Sequence, residues 1–127
     1  MATLTPTLSF ASSGATSTTT DTLGFSVTSN ITVTAPMVDI ARISLVGDAA
    51  ATTLLADNTT TTYVYLKNTD STNHIKFFND TDDGIGILWP GEFAFFAVID
   101  AEGLKVQANN ANCVLEYGYW TKAEGGE

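Results

Sequence analysis

Basic residues are scarce in this chain: five Lys and Arg stand against 14 Asp and Glu in 127 residues, a net charge of −9. Clustered Lys and Arg are what phosphate contacts need, so direct nucleic-acid binding and anionic membrane surfaces are excluded as partners. Cysteine is nearly absent, and Cys113 alone cannot close an intrachain disulfide. Its setting, NCVLEYGYW, is a strand pattern with no neighbouring basic residue to lower the thiol pKa, so a buried, inert thiol is expected. No apolar run reaches the roughly 18 residues of a membrane span. No basic-then-apolar signal segment opens the sequence, so a soluble protein made in a reducing cytoplasm is expected. The N-x-Thr triplets at Asn30, Asn58 and Asn79 matter only in a eukaryotic secretory route.

Catalytic patterns are scarce too. His74 is the sole histidine, and general-base work needs a partner and a pocket that the sequence does not display. Asp80–Gly84, DTDDG, is rich in oxygen donors but lacks the spacing and distal Glu of an EF-hand, so it reads as a solvated turn. No serine sits in a nucleophile elbow and no Gly-rich phosphate loop exists. Glu92 and Glu116 read as edge or partner contacts rather than a catalytic pair. The expectation is a non-enzymatic protein with no metal and no cofactor.

Alternation is abundant. Leu23, Phe25, Val27, Ile31, Val33 and Ala35 share one face of a period-two pattern, broken only by Ser29. Either one long strand runs through it or Thr28-Ser29-Asn30 turns it into a hairpin. Residues 37–47 would carry a helical stripe after Pro36, but their Ile and Val content and β-like surroundings point to strand. A short apolar piece, Ala49–Ala56, ends in DNTTTT. The second half then alternates strands with loops of four to six turn-forming residues. The strands are Tyr63–Lys67, His74–Phe78, Ile85–Trp89, Phe93–Ile99, Leu104–Ala108 and Cys113–Trp120. This spacing predicts an all-β fold: a single antiparallel β-sandwich or barrel, jelly-roll-like or Ig-like, over residues 23–122. Residues 1–22, rich in Thr and Ser, are predicted to form an extended N-terminal arm, and residues 123–127 a flexible acidic tail.

Between two of these strands, Trp89–Glu92 has the type II pattern, with Pro90 at i+1 and Gly91 at i+2. Such a turn splays a two-residue hairpin, so a corner between sheets suits it better. The strand after it is apolar on both faces, with Phe93 and Phe95 on one and Phe96 and Val98 on the other. Phe77/Phe78 is a second adjacent pair. One member of each pair must leave the primary core for a second cover. Phe95 and Leu115 are read as core. Leu4, Leu8, Phe10, Phe78, Trp89, Phe96 and Trp120 are the expected interface residues, the first three along one side of the arm.

The segments TYVYLKNTDSTNHIKFF (Thr62–Phe78), LWPGEFAFFAV (Leu88–Val98) and LKVQANNANCVLEYGYW (Leu104–Trp120) resemble small virion proteins of tailed bacteriophages. The resemblance covers about half of the chain. It implies a non-enzymatic β-rich structural subunit of the virion, assembled with the major capsid protein or other virion subunits. A capsid decoration or cement protein on the outside of the head, as a homo-oligomer and in particular a homotrimer, is the first reading. The second is a tail, neck or fibre component, with host-receptor or glycan binding through a flat aromatic surface. A cytosolic carbohydrate-binding module or hydrolase accessory is a third.

Overall fold

The structure, a computed structural model, describes residues 2–12, 24–36, 40–56, 60–99 and 101–123. Among them there is no helix; twelve strands pair antiparallel. They are β1 (Ala2–Leu4), β2 (Thr7–Ala11), β3 (Gly24–Thr28), β4 (Ile31–Pro36), β5 (Ala41–Leu45), β6 (Thr52–Leu55), β7 (Thr62–Asn68), β8 (Ile75–Phe78), β9 (Gly84–Leu88), β10 (Phe93–Val98), β11 (Leu104–Ala108) and β12 (Cys113–Lys122).

Three sheets result, and none closes into a barrel. The largest runs β1-β4-β12-β7-β10, with β5 paired to the other half of the same β12 edge that β4 occupies. The second runs β6-β11-β8-β9. From β5 onward the chain passes repeatedly between these two sheets, and their facing side chains form one buried cluster. Leu45, Val64, Leu66, Val98, Cys113 and Leu115 come from the first sheet; Ile75, Phe77, Leu88, Leu104, Val106 and Ala108 come from the second. Fully buried leucines such as Leu66, Leu104 and Leu115 each contribute about 1.5–3 kcal/mol of burial free energy.

The strand in the ambiguous stretch is β5. Ile43 and Leu45 face the cluster while Arg42 and Ser44 face out, the period of two that pairing with β12 imposes. Residues 37–39 of that stretch lie outside the described residues.

The third sheet is the two-stranded ribbon of β2 and β3, which prolongs the β1–β4 pair. The join is irregular on both strands: Ser29 N–H donates to the Pro6 carbonyl, and Thr5 Oγ1 donates to Asn30 Oδ1. The alternating stretch is therefore two strands in line, interrupted at Ser29-Asn30, and not a hairpin turned there. Residues 2–11 of the expected arm are paired with the chain's own β3 and β4, and residues 13–23 lie outside the described ones. All ten ribbon residues are exposed, so the apolar period of β3 marks no core. At the other end Ala123, expected to open the tail, is buried and donates its N–H to Thr32; residues 124–127 are outside the described set.

The corner forms as its sequence dictates. Glu92 N–H donates to the Trp89 carbonyl, and Gly91 has φ of 81°, which a Cβ would strain. The turn carries the chain from β9 in one sheet to β10 in the other.

Candidate binding surface

Alternation along β7 sends Val64 and Leu66 inward and Tyr63, Tyr65 and Lys67 outward. The register of its two neighbours then composes an outer face row by row. Tyr65 stands between Gly118 and Phe95, Tyr63 between Trp120 and Ala97, and Lys67 between Glu116 and Phe93. Tyr63 and Phe95 stack diagonally, centroids 6.3 Å apart and nearly parallel. A Cβ on Gly118 would lie 2.8 Å from the Trp120 ring and 3.0 Å from the Ile40 side chain. The missing side chain is what lets the indole approach the strand at Gly118, and Trp120 is buried there.

Three polar groups on this face, Tyr65, Glu116 and Arg42, are engaged with one another. Glu116 accepts the Tyr65 hydroxyl on Oε1 (2.9 Å) and Arg42 Nη2 on Oε2 (3.0 Å). The Tyr65 hydroxyl and the Arg42 guanidinium hold the Glu116 carboxyl below its ordinary range. Burial, then the neighbouring carboxylate, pushes Tyr65 up to about 12. At neutral pH the acid stays ionised and the phenol stays protonated. Such a pair fixes side-chain positions and has no proton to exchange.

Beside this face runs an apolar groove of about 470 Å³ between the ribbon and β10. Leu8, Phe10, Val27 and Ile31 form one wall, Phe93 and Phe95 the other. Phe10 stacks on Phe25 across the ribbon, centroids 5.0 Å apart.

The groove gathers some of the residues expected at an interface and leaves others elsewhere. Leu8 and Phe10 line it, and Leu4 is half-buried in β1. Phe96 points inward and stacks on Phe77 at 5.5 Å, so its neighbour Phe95 is the outward member of the pair, not a core residue. Phe78 lies on the far sheet beside Lys105 and Asp82, which form a 3.0 Å ion pair. Trp89 is exposed at the corner, where His74 meets it edge-on at 4.8 Å. Phe93, Phe95, Tyr63 and Val27 are the surface residues the sequence reading missed. For Phe93 and Phe95 the signal was β7, whose Tyr, Tyr and Lys on one face fix, once the register is known, which side of β10 looks outward.

The remaining chemical candidates resolve into structure. Asn79 Oδ1 accepts from the Thr81 and Asp83 N–H groups, closing the DTDDG loop as a turn. Among the described residues no three His, Cys, Asp or Glu side chains gather as a metal group. Glu92 accepts the Trp89 N–H and is spent on the corner. Cys113 is buried, and burial pushes its thiol pKa up.

Compared with protein-family models, with curated proteins and with solved structures, the chain matches none. Its function has to be argued from the face and the fold.

Proposed function

We propose that this chain is a non-enzymatic virion structural protein, a decoration subunit that docks on the outside of a phage head through the outer face of its larger sheet. One observation carries the reading: Tyr63, Phe93 and Phe95 form an aromatic face beside an apolar groove, and the Tyr65, Glu116 and Arg42 cluster on it is locked internally. Exposed aromatics on rigid strands suit recognition, because they present large contact area at low entropic cost.

The strand order supports a finer reading of the fold. Strands β5 to β12 give two four-stranded layers, 5-12-7-10 and 6-11-8-9. That is the order of an eight-stranded jelly-roll sandwich, an architecture of viral capsid and lectin domains. Fold alone does not assign function, so the site carries the argument and the topology adds to it.

Quantitative mass spectrometry of particles purified from a phage that encodes the chain tests the role. Hundreds of copies per particle are expected. A few dozen copies or fewer would move it to the tail, neck or fibre, and absence from particles would remove the virion reading.

A further inference from the structure

The two main sheets end on the same flank. β10 closes the larger sheet and β9 the smaller, the Trp89–Glu92 turn joins them, and both strands line the crevices along this side. Among the described residues neither strand has a neighbour on its outer edge, so each presents a row of backbone N–H and C=O groups. Soluble proteins guard such edges with lysine, proline or a bulge. Here β10 keeps an unbroken register with β7 from Phe93 to Val98. Gly84–Ile99 contains proline only in the turn and a single charge, Glu92, which is engaged by the Trp89 N–H. Large apolar side chains stand exposed instead: Ile85 (52%), Trp89 (52%), Phe93 (59%), Phe95 (38%) and Ile99 (66%).

We infer that a second copy of this chain covers the flank, its β10 running antiparallel to the first so that the larger sheet continues from copy to copy. Charge permits this occupant. Glu92 is the single acid within Gly84–Ile99 of a chain with net charge −9, and Glu102 lines the crevice at the Ile99 end, so two copies meet with fewest like charges along the middle of the flank. A basic protein would be drawn to the acidic surfaces away from it. Area permits the pairing. Five side chains about half exposed leave about 500 Å² of apolar surface per copy, or about 1,000 Å² for a pair, the lower bound for a specific interface before main-chain pairing is added. A two-fold axis through β10 also keeps outward residues with outward residues, setting Phe95 beside its equivalent. The inference concerns the isolated protein and does not rest on the virion reading.

Light scattering on the purified full chain at micromolar concentration tests it. A mass twice 13.4 kDa is expected. Ala97→Lys, which places a charge on the exposed side of the edge, should weaken association at least ten-fold. Val46→Lys, exposed beside β5 at the opposite edge of the sheet, should associate as the parent does. Amide hydrogen exchange of the parent protein provides a readout that needs no variant: exchange at Phe93–Val98 should slow as protein concentration rises. A mass of 13.4 kDa at every concentration, three times that mass, or concentration-independent exchange in β10 would overturn the inference. So would association weakened by Val46→Lys and untouched by Ala97→Lys.

Discussion

Asn68 ties three segments together from a fully buried position. Its side-chain amide donates to the carbonyls of Asn73 (2.8 Å) and Leu88 (3.0 Å), and its Oδ1 accepts the Asp70 N–H. Its backbone N–H and C=O bind the corner at Glu92 and Gly91. An alanine would strip the partners from buried backbone groups, so Asn68→Ala should cost about 2–4 kcal/mol, read as a lower urea midpoint at unchanged slope. Two carboxyls set the acid limit. Asp70 is held below its ordinary range by the N–H groups of Asn73 and Thr72, and Glu116 by Tyr65 and Arg42. A depressed folded pKa gives stability that is present above the unfolded value of about 4 and is lost as pH falls through the folded value. Tyr65 works in the opposite sense: its contribution is present below the unfolded value of about 10 and fades as pH rises through about 12. Melting temperature should therefore fall below about pH 4, less steeply in Glu116→Gln. Ultraviolet titration should show a tyrosinate phase near 12 that Tyr65→Phe removes.

At the scale of elements, β10 and β12 divide what looks alike in sequence into core and surface. Leu115 is fully buried between the sheets, while Phe95, in an equally apolar strand, points outward. Leu115→Ala should cost about 2–5 kcal/mol, the price of a cavity that two sheets cannot close. Phe95→Ala should stay within about 1 kcal/mol, because much of that ring is already in water. Thermal melts of the two variants side by side check the contrast. Much of the second half was legible: every strand there lies within two residues of its expectation, because turn-rich loops and period-two alternation are local signals. The corner was legible for the same reason. The outward side of β10 was not, since both its faces are apolar and only the non-local register with β7 separates them. The ribbon misled in the opposite way, because β3 has a core-like period and no second layer to cover it. Trp120 was placed at an interface because its burial depends on Gly118 lacking a side chain, which no pattern in the sequence announces.

On the scale of the whole molecule, β12 holds the larger sheet together. It pairs with β7 along one edge and with β4 and β5 along the other, so strands from both halves of the chain meet on the last one. That arrangement gives a rigid platform, with the aromatic face on one side and the shared core on the other. The proposed role requires that face to be the surface that recognises a particle. The measurement that bears on this most directly is co-sedimentation of purified protein with phage heads stripped of it. The parent is to be compared with Tyr63→Ser/Phe95→Ser, whose secondary structure is checked by circular dichroism and whose mass in solution is checked by light scattering. The folded double variant, compared at the parent's association state, should bind heads at least ten-fold more weakly, a loss of about 1.4 kcal/mol or more. Equal binding by the folded variant and the parent would contradict it.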